Sequence, residues 1–270
     1  MNMRKLLCVI LVLVLLCAFT GCEKDNDDRR SRRETEEEPE VTKEPEAIPL
    51  VVCLDPGHGG KWTGAVYFGR NEKDIVIKLC NEIRAYLNQH YPEIKVLLTR
   101  EDDTVFSTDL GTDLRSRVEF AKNNGAQILI SIHLNASNEH NLRGTLVCIS
   151  KQPNINGISI ELANTLLART ESLGLKNRGY ETRNSNDTFD DQGVPVDYYA
   201  ICRHGASLDI PAIILESCFM DNEGDYAYVA DDASLKRLAA AEAEGIAEFM
   251  MSHYGTNASA GAEDSKSTEE

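Results

Sequence analysis

Two histidines in this chain close apolar runs. The stretch from Ile48 to Leu54 passes directly into Asp55-Pro56-Gly57-His58-Gly59-Gly60. The run QILISIHL, residues 127–134, carries His133 where it ends, with Asn135 just beyond. A histidine at the end of a strand is either part of a tight turn or a metal ligand, and one alone does not decide between them. Two on neighbouring strands come within reach of one cation. Catalytic zinc takes three protein ligands and keeps a fourth position for water, so a third donor is needed. Glu72 is the leading candidate. It follows the Gly-rich loop and a helix cap at Asn71, and a first-turn side chain points back toward the loop it came from. A carboxylate there would also offset the helix dipole with no metal involved, and that alternative stays open. The remaining requirement is a proton carrier. Glu216 closes the apolar run PAIILE, where a carboxylate either faces water or needs a partner. Beside a metal it would take a proton from water and pass it to a leaving amine. Asn135 is a further candidate, for orienting substrate or a ligand loop. His90, His140 and His253 read as solvated surface, and His204, in a turn after YYAICR, is ambiguous.

The surrounding pattern explains how such residues could meet. Strand-like runs at residues 50–54, 94–99, 127–134, 144–150 and 211–217 alternate with helical stretches. Asn71 caps a helix to about Gln89, Asp113 caps a second to about Asn123, and others span about Ile155–Leu173 and Ser234–His253. YYAICR, residues 198–203, reads as a strand, and a polar stretch from Gly174 to Asp197 breaks the rhythm. The alternation predicts an α/β fold with a twisted, mostly parallel (mixed) central sheet flanked by helices. In such sheets, sites collect where loops leave the carboxyl ends of the strands.

The formal charge of −16 argues against nucleic acid as a partner, which would select a basic face. Part of that acidity lies outside the folded region. Residues 1–21 have a basic start at Arg4 and Lys5 and an apolar run from Leu6 to Phe19, shorter than the roughly 20 residues of a spanning helix. With Thr20-Gly21 before Cys22, they resemble a bacterial lipoprotein signal, although Phe19 departs from its usual leucine. The expectation is a lipid-modified Cys22 anchoring the chain on the outer face of the cytoplasmic membrane. Residues 22–47 then form an acidic disordered tether, 48–254 one catalytic domain and 255–270 a disordered tail. No repeat or appended binding module is legible. Setting aside Cys8, Cys17 and Cys22 leaves Cys53, Cys80, Cys148, Cys202 and Cys218, an odd set without CxxC spacing. These read as buried small hydrophobes.

From about Val51 to Tyr254 the sequence resembles the zinc-dependent N-acetylmuramoyl-L-alanine amidases, the type 3 amidase family. The resemblance runs through LDPGHGG, NEKDIVIKL, LRSRVEFAKNNGAQILISIHLNAS, LGLKNRGYETR and IPAIILESCFMDNEGD. It implies one zinc ion held by His58, Glu72 and His133, and Glu216 as the catalytic glutamate. It also implies a phosphorylase/hydrolase-like architecture and cleavage of the amide between N-acetylmuramic acid and L-alanine in peptidoglycan. The segment NDTFDDQGVPVDYYAICRHG is longer and more acidic than the family's usual joining piece, and could alter substrate reach or act as a lid. Two alternatives remain: a zinc peptidase acting on stem peptides, and a wall-binding lipoprotein without catalysis.

Overall fold

The computed structural model describes residues 49–255. The expected signal, Cys22, the tether and the tail beyond Gly255 lie outside the described residues. In chain order the elements are β1 (Leu50–Pro56), β2 (Val66–Tyr67), β3 (Arg70–Asn71), α1 (Glu72–His90), β4 (Ile94–Leu98), α2 (Leu110–Asn123), β5 (Ile128–Asn135) and β6 (Thr145–Cys148). They continue with α3 (Pro153–Ser172), β7 (Asn177–Glu181), β8 (Asn184–Phe189), β9 (Pro195–Asp197), α4 (Ala200–Ser207), β10 (Ala212–Phe219), α5 (Glu223–Tyr226) and α6 (Asp232–Tyr254).

Six strands form one sheet in the order β4-β1-β5-β10-β6-β7. The first four are mutually parallel, β6 runs antiparallel to β10, and β7 runs parallel to β6. The expected mixed, mostly parallel α/β sheet is therefore present. Strand alternation sends side chains to two cores. Val52, Leu54, Ile130, Ile132, Ile213 and Leu215 face a large core with buried residues of α1, α3 and α6. Val51, Cys53, Leu129, Cys148, Ala212 and Ile214 face a smaller one with α2 and α4. The central strands are buried on both sides, so they read as continuous apolar runs. Cys53, Cys80, Cys148, Cys202 and Cys218 are all buried free thiols. Among the described residues, no helix is long and apolar enough to cross a membrane.

Three local expectations are corrected. YYAICR is not a strand: from Ala200 it is the start of α4, which buries Ile201, Cys202 and Gly205. His204 is accordingly helical rather than in a turn. The cap of α2 is Asp109, not Asp113. Asp109 Oδ1 accepts from the Thr112 backbone N–H at 2.9 Å and from its hydroxyl at 2.8 Å, whereas Asp113 is fully buried one turn on. Asp109→Ala is expected to lower stability by about 1 kcal/mol, read as a shift in the urea midpoint without loss of the folded baseline. The polar stretch 174–197 supplies edge strand β7 and the β8–β9 hairpin. Asn71 does precede α1, but its side chain donates to Asp74 Oδ2 at 2.9 Å instead of capping the helix.

Candidate active site

The site is built at the carboxyl edge of the sheet. Pro56 pairs with Ile132, which brings the next residues, Gly57 and His133, side by side. The His133 ring fits there because residue 57 has no side chain; a Cβ would lie 2.4 Å from it. His58 follows with φ of +63°, left-handed backbone that costs a non-glycine residue roughly 1–2 kcal/mol. Two buried arginines hold that turn. Arg117 donates to the carbonyls of Pro56 (3.1 Å) and His58 (2.6 Å) and pairs with Asp55 at 3.0 Å and Asp113 at 2.8 Å. Arg100 donates to the carbonyls of Pro56 at 2.9 Å and Gly57 at 2.8 Å. Burial alone would raise the pKa of Asp55, but Arg117, Ser131 and Thr99 outweigh it and hold the carboxylate ionised.

Glu72 reaches this edge from the first turn of α1. Its Oε2 meets His58 Nε2 at 3.0 Å and accepts the Ala65 N–H at 2.9 Å. Its Oε1 meets His133 Nδ1 at 3.0 Å and accepts the Leu134 N–H at 3.0 Å. Burial opposes charge at Glu72, yet the hydrogen bonds to His133 and His58 keep its carboxyl well below the ordinary range. The same contact raises His133 against the opposing effect of its own burial. One donor atom from each of His58, Glu72 and His133 lies within 4.8 Å of the others. Two imidazole nitrogens and a carboxylate oxygen are a donor set suited to zinc. Gly64, at φ +67°, walls this cradle: a Cβ there would lie 2.4 Å from Glu72 Oε2 and 2.6 Å from His58 Cδ2.

Glu216 pairs in register with His133, so the two side chains share a face of the sheet. Its pKa rises to about 7, because burial penalises the carboxylate and Glu72 and Glu181 repel it, while His133 pulls the other way. Its Oε2 is buried without a hydrogen-bond partner. Asn135 lies on the same face, and its Oδ1 accepts the Ala136 N–H at 2.8 Å. The other histidines lie apart from the cluster. His140 is exposed but pairs with Asp221 at 2.9 Å, and His253 pairs with Glu161 at 3.2 Å. His204, on α4, has its pKa lowered by burial and by Arg203 and Arg115.

A groove of about 710 Å³ opens from His58 and His133, past Trp62 and Leu114, to Tyr198 and Tyr199. The two tyrosines belong to the longer, acidic segment that stood apart in the sequence; here it forms one wall of the groove. The clamp of Asp55, Arg100 and Arg117 was not singled out from sequence. Asp55 carried the same signal as Glu216, a carboxylate closing an apolar strand; the arginines carried none.

An imidazole–carboxylate–imidazole cluster beside a protonatable glutamate, at the carboxyl edge of an α/β sheet, is a geometry suited to metal-assisted hydrolysis. The pattern of the N-acetylmuramoyl-L-alanine amidase family (Amidase_3) matches residues 52–248, and the chain belongs to that family. It is 29% identical over 202 residues to the endolysin of Bacillus phage SPP1, covering 74% of this chain and 66% of that protein. It is 27% identical over 244 residues to the probable N-acetylmuramoyl-L-alanine amidase AmiB of Haemophilus influenzae, covering 78% of this chain and 54% of that one. The chain thus spans between about half and two thirds of the length of these relatives. Its fold is similar to the catalytic domain of CwlV, an N-acetylmuramoyl-L-alanine amidase from Bacillus (Paenibacillus) polymyxa var. colistinus. The TM-score is 0.58 at 28% identity, covering 74% of this chain and 98% of that domain.

Proposed function

We propose that the chain is a zinc-dependent N-acetylmuramoyl-L-alanine amidase that hydrolyses the amide joining N-acetylmuramic acid to L-alanine in peptidoglycan. The observation that carries this reading is the convergence of His58, Glu72 and His133 donor atoms within 4.8 Å, with Glu216 alongside. Zinc held by these three residues would acidify water and polarise the scissile carbonyl. The rest of the work belongs to the chain. Glu216 takes the proton from the attacking water and returns it to the departing amine; a carboxyl whose ordinary affinity for protons is raised can do both near neutral pH. Glu72 stays ionised, and the arginine clamp fixes His58. The groove past Trp62 receives the substrate, and Asn135, on the face of His133, orients it.

The test is metal analysis coupled to identification of muropeptide products, with and without chelator. Free L-alanine amino termini support the amidase; intact lactyl–peptide links with shortened stems would replace it with a peptidase. Inert peptidoglycan in the presence of bound zinc would favour a wall-binding role. Acid provides a second check. Imidazoles coordinate only when neutral, so zinc content after dialysis should fall as pH drops through the imidazole range. Full occupancy far below that range would remove the histidines from the ligand set.

The lipoprotein-like signal supports a second part of this reading: Cys22 carries diacyl lipid and holds the enzyme on the outer face of the bacterial cytoplasmic membrane, facing the wall. Two acyl chains suffice for stable anchoring. Cys22→Ala is expected to shift the protein out of the membrane fraction; unchanged fractionation would contradict lipidation at Cys22.

A further inference from the structure

Strand register and a bulge place Arg178 and Phe219 on the face that bears Glu216. On β10 the pairing passes from Glu216↔His133 to Phe219↔Asn135. Three steps on one strand therefore match two on the other. Ordinary alternation would put Glu216 and Phe219 on opposite faces; the extra residue turns Phe219 to the side of His133, Asn135 and Glu216. On β7 the pairing passes from Thr145↔Asn177 to Val147↔Tyr180, so Arg178 and Gly179 together oppose Leu146. Leu146 is itself the register partner of Glu216. The row His133, Glu216, Leu146, Arg178 thus crosses four neighbouring strands, and Arg178 stands two strand spacings, about 10 Å, from Glu216.

The Arg178 guanidinium lies over the Phe219 ring, 5.3 Å from its centroid. Its Nε is buried without a hydrogen-bond partner, and no carboxylate among the described residues lies in salt-bridge range of it. This contrasts with Arg100 and Arg117, whose donors are used to hold the His58 turn. Leaving a half-buried guanidinium donor unmatched is costly, and its planar fork suits an incoming carboxylate.

We propose that Arg178 is a substrate-binding residue that receives a carboxylate on the peptide side of the scissile amide. The proposal rests on the amidase reading and deepens it. On the glycan side, the one carboxyl of N-acetylmuramic acid is consumed in the bond being cut, so an anion for Arg178 comes from the peptide. An extended chain advances about 3.3–3.6 Å per residue, which puts that carboxylate within about three residues of the cleaved bond.

The experiment compares an N-acetylmuramoyl tripeptide bearing free carboxylates with the same compound after their amidation. For the wild type, KM is about 10- to 100-fold lower for the charged compound, at similar kcat, as expected for a charge-assisted contact made equally in ground and transition states. Arg178→Met keeps the aliphatic packing over Phe219 and removes the charge; it abolishes that preference by raising KM for the charged compound alone. Arg178→Lys retains part of it. Calorimetric titration of Glu216→Gln with both compounds reads the same preference without turnover. Equal affinity of the wild type for the two compounds overturns the inference even where Arg178→Met does not fold, as does an equal effect of that variant on both. Whether the wild type frees L-alanine amino termini from either compound tests the amidase reading separately. An enzyme that cleaves both alike keeps that reading and loses this one.

Discussion

Glu216→Gln is expected to lower kcat by about 10²–10⁴-fold while leaving zinc content intact and stability no lower than that of the wild type. The two halves of this expectation have separate causes. Glutamine keeps the shape but cannot accept the water proton or return it, so the rate falls. The proposed ligand atoms belong to His58, Glu72 and His133, none of which is altered. Stability is spared because Glu216 Oε2 has no hydrogen-bond partner to lose, and its raised pKa means that ionisation is opposed by the fold. Removing the charge removes that opposition. A residue whose best chemical form for the fold differs from its best form for turnover is the usual mark of a functional position. Steady-state kinetics, zinc analysis and a denaturation curve on one preparation decide it. Undiminished kcat takes Glu216 out of the mechanism; lost zinc would make it a ligand or a ligand support.

Much of the site was legible because strand ends announce themselves. His58, His133 and Glu216 each interrupt an apolar run, and an α/β order sends such ends to one edge. What could not be read is what joins residues distant in the chain. Arg117 touches Asp55 and the carbonyl of His58, 62 and 59 positions away, and no local period encodes that. The helix α4 was hidden because YYAICR is rich in aromatic and branched residues, which favour strands. Helical spacing wins there, since Ile201, Cys202 and Gly205 fall on one face, and a Cβ on Gly205 would lie 2.5 Å from Ala212. At α2, Asp113 has the residue type of a cap but lies one turn inside the helix, paired with buried Arg117, and Asp109 caps instead. The β8 strand gave no signal because nearly all of it is exposed, so it has no apolar alternation to show.

Glu242 gives the other large effect, on stability. It sits in the apolar stripe of α6 formed by Leu235, Leu238, Ala239, Ile246 and Phe249, fully buried, with neither carboxyl oxygen hydrogen-bonded. Burial drives its pKa to about 8; the Ser217 hydroxyl, close but outside hydrogen-bond geometry, tempers the rise. The sign follows from linkage. Folded protein holds this proton up to about pH 8, whereas the unfolded chain releases it near the ordinary glutamate value of 4.5. The stability that Glu242 contributes through its proton is therefore complete below about pH 4.5 and drains away as pH rises through 8. A displacement of that size corresponds to about 4–5 kcal/mol. Glu242→Met, similar in length and without an ionisable group, escapes the loss. The difference in unfolding free energy between variant and wild type should widen steadily from pH 5 to pH 8, then level off. All other titrating groups are common to both proteins and cancel in that difference. Guanidinium midpoints for the pair at pH 5, 7 and 9 supply the measurement. A constant gap would mean that Glu242 titrates alike in both states and that solvent reaches it in the fold.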